Sequence, residues 1–302
     1  MAVALTVIFL LALSAGLYFR LLQFPHIDFE TGFFKTDTPA ALSAGFYAVA
    51  AALFVILLVY GVLQRRKATG CELSYRRHHV GERFAALTGV SAFLSGFALL
   101  IQLVFGFIFT PAPVHGGSDS GGFISFLSGD AANTILTALA IAAYAVVGFT
   151  LTVRRGTRPA AGGAMVLLAL YFTAGAAAVF NKHLVIKEMS NPLILLLTDM
   201  CAVLFFFGMG RIFARAESGG TRVLTVAFGF TLTLLIACEC AAFWMFMRNA
   251  DSHTLSVITG ETVIEGINPQ IDIPTVPLLL QGVTVLLLTL LLGTRRRRLL
   301  SN

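Results

Sequence analysis

The chain has 302 residues, of which 57% are hydrophobic and only 12% carry a charged side chain. A soluble chain of this length would suggest about two domains, but this composition and a mean hydropathy of +0.87 describe a protein dissolved in lipid. The unit to count is therefore the membrane span.

Eight stretches are long and apolar enough to cross a bilayer, which needs roughly 20 mostly apolar residues per helix. They predict an all-α integral membrane protein, a polytopic bundle of eight transmembrane helices, forming a single membrane domain over residues 1–302 with no soluble domain. The first span is expected to be retained rather than cleaved as a signal, because no basic residue precedes it. The predicted spans cover about 2–20, 39–63, 84–110, 131–153, 160–180, 192–213, 223–247 and 274–293.

The net charge of +6 raises the possibility of nucleic-acid binding, but the positions of the basic residues argue against it. With the amino terminus inside, the inner connections hold 16 of the 21 Lys and Arg residues. This asymmetry is the positive-inside pattern and predicts that both termini are cytoplasmic. The inner arginine clusters are expected to contact anionic lipid headgroups. The outer connections hold only Arg20, Lys35, Lys182, Lys187 and Arg248.

An excess of Arg over Lys, with abundant Ala and Gly, is typical of a GC-rich bacterial genome and predicts the bacterial cytoplasmic membrane. Spans 4 and 5 are also rich in small residues, including Ala138, Ala142 and Gly175. Small side chains let helix backbones approach closely. The pattern therefore predicts a close antiparallel pair.

Several chemistries have no sequence support. No phosphate-binding GxxxxGK[ST] loop is present, and none of the six histidines lies in a predicted span. Cys238 and Cys240 flank Glu239, but residues two apart on a helix point about 200° from each other. They cannot both face inward with Glu239, so we expect no metal and no cofactor.

Two carboxylates lie within predicted spans, where an ionised side chain costs on the order of 2.5–3.5 kcal/mol on insertion scales. Asp199 is seven residues inside Pro192, and Glu239 is eight residues from Met247. At 1.5 Å per residue both lie about 10–12 Å below the outer surface. Four other spans bring a polar side chain to the same depth: Gln102, Thr137, Thr173 and Gln281.

This polar layer has two competing interpretations. Asp199 and Glu239 could share a proton or bind a cation in a hydrated cavity, with the other four residues completing an ion or substrate site. Alternatively, the amides and hydroxyls only join helices by hydrogen bonds while both acids stay protonated.

The first hypothesis for function is a small permease, or a cation- or proton-coupled transporter, that uses the intramembrane acid pair and moves a small ion or solute. The alternative is a non-transporting membrane sensor or assembly partner acting through outer loops 21–38 and 248–273. A membrane enzyme is a third possibility without a recognisable catalytic constellation. The sequence specifies neither substrate nor oligomeric state.

Overall fold

The computed structural model describes residues 2–27, 34–66, 79–109, 130–153, 159–182, 190–214, 216, 220–249 and 276–293. These residues form eight α-helices, each overlapping one predicted span, so the predicted all-α bundle is confirmed. The helices are α1 (Ala2–Gln23), α2 (Ala40–Arg66), α3 (His79–Phe109), α4 (Asp130–Thr152), α5 (Pro159–Lys182), α6 (Ser190–Phe213), α7 (Thr221–Asn249) and α8 (Val276–Gly293).

Helix length and composition fit a membrane environment. Seven of the helices are long and apolar enough to cross a bilayer, and α8 carries a shorter apolar stretch, Val276–Leu292. The 18 residues of α8 extend about 27 Å at 1.5 Å per residue, close to the roughly 30 Å hydrocarbon core. Large apolar side chains such as Leu11 (67% exposed) and Phe97 (60% exposed) cover the outside of the bundle. The protein is therefore a multi-pass helical membrane protein.

The helices form two packing units that meet at α7. Helices α3 to α8 form a closed ring, in which each contacts the next along the chain and α8 contacts α3. Helices α1 and α2 contact each other, and both contact α7. Helix α7 also has the largest buried share of the seven candidate spans. It therefore belongs to the ring and also carries the α1–α2 pair.

Glycines set the closest helix approaches in the ring. A methyl group on Gly89 of α3 would lie 2.8 Å from the Gly148 carbonyl oxygen of α4. A methyl group on Gly162 of α5 would similarly lie 3.1 Å from the Gly210 oxygen of α6. Such contacts are expected where van der Waals packing holds helices together in lipid.

The small residues predicted to join spans 4 and 5 do not all act in that way. Ala138 and Ala142 are exposed on the surface of α4. Their spacing of four residues correctly predicts that both lie on one face of α4, but this face is on the outside of the bundle. Helices α4 and α5 are still neighbours in the ring.

The chain after α1 turns back over the end of the bundle. A short 3-10 helix (Phe24–His26) follows α1, and Ile27 forms an isolated antiparallel bridge with Phe34. Phe24 and Ile27 are each 1% exposed and pack with Phe243 of α7. Residues 28–33 and 250–275, which include parts of both outer loops invoked for a sensor, lie outside the described residues.

Candidate functional site

A cavity of about 320 Å³ lies inside the ring, and all six ring helices contribute to its wall. Its residues cluster near the carboxyl ends of α3 and α5 and the amino ends of α4, α6 and α8. All of these ends belong to the side that the arginine distribution predicts as the outside. The lining residues are Leu99, Gln102, Asn133, Thr137, Tyr171, Phe172, Gly175, Ala178, Leu195, Asp199, Glu239, Pro277, Leu278 and Gln281.

Five of the six residues predicted for the site line this single cavity: Gln102, Thr137, Asp199, Glu239 and Gln281. These residues lie at a similar depth in the membrane, and their helices belong to the ring that surrounds the cavity at that depth. The polar layer therefore surrounds a shared space, in which polar and apolar side chains alternate.

Thr173 is not among the lining residues. Its Oγ1 donates a hydrogen bond of 2.8 Å to the Ala169 carbonyl oxygen within α5. The lining face of α5 is marked by Tyr171, Gly175 and Ala178, and Thr173 lies two residues from Tyr171 and from Gly175. A separation of two residues turns a side chain by about 200° on a helix, which explains why the right depth did not place Thr173 in the cavity.

Sequence reasoning missed two polar wall residues, Asn133 and Tyr171. Asn133 precedes Thr137 by four residues, and Tyr171 precedes Gly175 by four. Residues four apart share a helix face. Extending each predicted polar position by one turn along its own face would have found Asn133.

Arg20 is the largest departure from the sequence prediction. It was assigned to an outer connection, but α1 continues to Gln23 and the Arg20 side chain is 0% exposed. Its Nε donates to Oε2 of Glu239 at 2.7 Å, and its Nη2 donates to Oε1 at 3.0 Å. This bidentate pair satisfies Glu239 with a fixed positive charge, so Asp199 is not its charge partner.

The guanidinium of Arg20 also contacts Gln23 and Phe24. Its Nη1 donates to Oε1 of Gln23 at 3.1 Å, and its Cζ lies 4.6 Å from the centre of the Phe24 ring. Gln23 in turn donates from Nε2 to the Leu42 and Ser43 carbonyl oxygens of α2, at 3.0 and 3.1 Å. The network joins α1, α2 and α7 and fixes the orientation of the ion pair.

Asp199 has a different environment. Within the described part of the chain, no side chain donates a hydrogen bond to it or forms an ion pair with it. A methyl group on Gly175 would lie only 2.7 Å from Oδ2, so the glycine makes room for the carboxylate. Tyr171, one turn before Gly175 on the same face of α5, lines the same cavity. A lone carboxylate in such a site needs a bound cation or a proton to neutralise it.

A cluster of packed aromatic side chains begins at the cavity wall and continues toward the inner side. Phe172, which lines it, stacks on Phe206 with centroids 5.4 Å apart. Tyr144 and Phe205 meet the same Phe206 ring edge-on, at 6.4 and 5.2 Å. Phe206 is seven residues beyond Asp199, or about 10 Å deeper. We call Tyr144, Phe172, Phe205 and Phe206 the aromatic floor; it lies on the inner side of the cavity.

A buried hydroxyl network lies beside the floor, between α3 and α8. Ser95 Oγ and Thr284 Oγ1 are 2.9 Å apart, and Thr284 Oγ1 donates to Ser91 Oγ at 3.2 Å. Thr284 is one turn inward from Gln281 of the cavity wall. Here the interpretation of polar groups as links between helices applies, because these hydroxyls satisfy one another.

The cysteines beside Glu239 diverge as their spacing predicts. Cys238 packs in the cluster formed by α1, α2 and α7, with its sulfur 3.8 Å from the Leu13 oxygen, and Cys240 packs in the ring core. Among the described residues, no group of three His, Cys, Asp or Glu side chains is placed to bind a metal.

These features define a class: a multi-pass helical membrane protein with a closed ring of six helices around a polar cavity. Comparisons with protein-family models, curated proteins and solved structures found no match to the chain. Function must therefore be inferred from the site itself.

Proposed function

We propose that this protein is a small permease, or a cation- or proton-coupled transporter, in which Asp199 is the principal binding group. The observation that supports the proposal most is the carboxylate of Asp199, which has no partner among the described residues and lines a cavity walled by six helices. A carboxylate kept only for helix packing would be expected to have a hydrogen-bond partner, because burying an unsatisfied polar group is costly.

The two acids have different roles in this proposal. Glu239 is a fixed part of the wall whose charge is neutralised by Arg20 behind it, because two charge-assisted bonds already satisfy the carboxylate. Asp199 is the group whose charge changes during transport, when it gains or loses a cation or a proton. Gln102, Gln281 and Thr137 shape the space around it.

In this proposal the aromatic floor separates the cavity from the inner side, so that the cavity is accessible from one side at a time. The cavity lies among helix ends on the predicted outer side, and the stacked rings of Phe172 and Phe206 lie on its inner side. Release to the inner side requires these rings to separate, by a movement of α5 relative to α6. The site would then exchange its occupant between the two sides, as transporters with sites near the membrane midplane do.

We also propose the orientation and location that the sequence predicts, with both termini on the inner side of a bacterial cytoplasmic membrane and one membrane domain. In this orientation, which rests on the positive-inside pattern, the cavity lies toward the outer ends of the six lining helices. The cavity then receives its occupant from outside the cell.

The proposal is tested with purified protein in proteoliposomes that contain a pH-sensitive dye. Sodium, potassium or a small ammonium ion is added outside, and proton movement is followed. We expect protein-dependent flux that Asp199→Asn abolishes, because the amide keeps the shape of the carboxylate but cannot become charged. Met200→Leu, which changes the exposed neighbouring residue on α6, should retain wild-type flux. Equal flux in Asp199→Asn and wild type would overturn the proposal.

A further inference from the structure

The charge balance of the cavity restricts what it can bind. Glu239 is neutralised by Arg20, whereas Asp199 has no cationic partner within the described residues. When Asp199 is ionised, its negative charge is therefore not balanced by a cationic side chain among these residues. A single positive charge on a ligand balances it, whereas a divalent ion would leave a net positive charge in the cavity.

The size of the cavity points to an organic occupant. Its volume of about 320 Å³ corresponds to roughly ten water molecules at about 30 Å³ each. It lies at the small end of the range of about 300–1,000 Å³ found for ligand sites. A bare alkali ion fills a small part of this space, whereas a small organic molecule fills most of it.

The wall offers four kinds of contact to a ligand. Asp199 supplies the anion, and the Tyr171 and Phe172 rings supply aromatic surface on the neighbouring helix. An ammonium group is held both by a carboxylate and by the face of an aromatic ring. The amides of Gln102, Asn133 and Gln281 offer donors and acceptors to a polar group elsewhere on the ligand. Leu99, Leu195 and Leu278 provide contacts for its alkyl carbons.

We propose that the ligand of this cavity is a small organic cation with one ammonium group, an alkyl chain and one polar end, held by Asp199 against the Tyr171 ring. The inference rests on the proposed permease and names its substrate class. The amine lies at Asp199, and the polar end lies among the amides.

Binding is measured by isothermal titration calorimetry on the full-length protein in nanodiscs, at fixed pH and ionic strength. The probes are ethanolammonium, choline, sodium, the dication of 1,3-diaminopropane, and glycine as a zwitterion. We expect saturable binding of at least one of the two monovalent ammonium ions, at least about tenfold tighter than that of the other probes. Asp199→Asn should weaken it at least about tenfold, as expected for the loss of the negative charge that attracts the ammonium group.

A matched pair of variants tests the aromatic contact. Tyr171→Leu removes the ring and should weaken ammonium binding about threefold or more, whereas Tyr171→Phe keeps the ring and should change it less. Thermal unfolding of each variant checks that the fold is retained. If Tyr171→Leu and Tyr171→Phe bind the ammonium equally well, the assigned position of the amine is wrong.

The outcomes distinguish the ligand from the transport function. Asp199-dependent flux of protons or sodium, without saturable ammonium binding, would overturn the substrate class and leave the permease in place. Asp199-dependent ammonium binding without flux would support the ligand class and overturn transport. Preferred binding of sodium, the dication or glycine would overturn the inference.

Discussion

Replacing the buried Arg20–Glu239 pair by methionines tests whether the α1–α2 pair is joined to the ring as described. Glu239→Met leaves a guanidinium that is 0% exposed without its carboxylate and removes two charged hydrogen bonds, of 2.7 and 3.0 Å. Hydrogen bonds to charged groups contribute about 1.5–3 kcal/mol each. Breaking a buried ion pair costs about 3–5 kcal/mol. We expect Glu239→Met to lower the free energy of unfolding by about 3–5 kcal/mol.

The partner substitution should cost less. Arg20→Met leaves Glu239 without its cation, but the carboxylate lines the cavity and can take a proton or water from it. We expect a loss of about 1–3 kcal/mol, the usual cost of a partly compensated polar group. The double variant should recover to within about 2 kcal/mol of wild type, because well-packed apolar residues can replace a buried ion pair at little cost.

The free energies are measured by SDS-induced unfolding in mixed micelles, followed by circular dichroism. The double-mutant cycle should give a coupling energy of about 2 kcal/mol or more, near the upper part of the range for contacting residues. Arg20→Met combined with Thr284→Val, on helices that do not share this network, is the control and should add within about 0.5 kcal/mol. A coupling below about 0.5 kcal/mol between Arg20 and Glu239 would refute the pairing.

Three further outcomes follow from single contacts. Gly175→Ala should reduce Asp199-dependent flux, because the new methyl group would lie 2.7 Å from Oδ2 and displace the carboxylate. Gly163→Ala is the control on the same helix; its methyl group would have nothing within 4 Å, so flux should be unchanged. Equal flux in both alanine variants would contradict this. Gln23→Leu should lower the free energy of unfolding by about 1–3 kcal/mol, since the leucine removes one hydrogen bond accepted from Arg20 and two donated to α2 carbonyls. A neutral effect in the same SDS titration would show that Gln23 is not a link. Thr284→Val should cost only about 0.6 kcal/mol, the average for hydrogen bonds between membrane helices, and a loss above about 2 kcal/mol would indicate a larger role for the α3–α8 hydroxyls.

The helices could be predicted from the sequence because lipid imposes a simple rule on each of them. Every span must be helical and apolar over roughly 20 residues, so the boundaries of α6 (Ser190–Phe213) and α4 (Asp130–Thr152) fall within two residues of the predicted ones. The order around the ring could not be predicted. Apolar helix faces carry no information about which neighbour covers them, and the closest approaches depend on individual glycines such as Gly89 and Gly148.

The sequence predicted how deep the cavity-lining residues lie in the membrane, but not which way each side chain points from its helix. Gln102 and Gln281 lie more than 150 residues apart in sequence but reach the same level, because the rise per residue is fixed on every helix. Thr173 has the right depth and the wrong rotation. The periodicity of α5 would have corrected it only with a known inward residue, such as Tyr171, as a reference.

Arg20 could not be assigned from local sequence. A charged residue at the end of an apolar stretch normally lies in the connection, where water solvates it. Its burial depends on Glu239, 219 residues later, which accepts two of its hydrogen bonds. Glu239 stood out in the sequence because it lies within an apolar helix. Arg20 did not, because basic residues are usual at the ends of membrane spans.

The most direct test of the central claim asks whether water reaches the cavity around Asp199 from the outer side. Single cysteines are introduced at two positions of α4, Thr137 in the cavity wall and Ile135, which is 58% exposed on the outside of the bundle. The background lacks the native Cys71, Cys201, Cys238 and Cys240. A membrane-impermeant thiol reagent is applied to oriented vesicles from either side. We expect Thr137→Cys to react from the outer side and Ile135→Cys, which faces lipid, to remain unlabelled. If Thr137→Cys does not react, or reacts only from the inner side, the hydrated outward-facing site is contradicted.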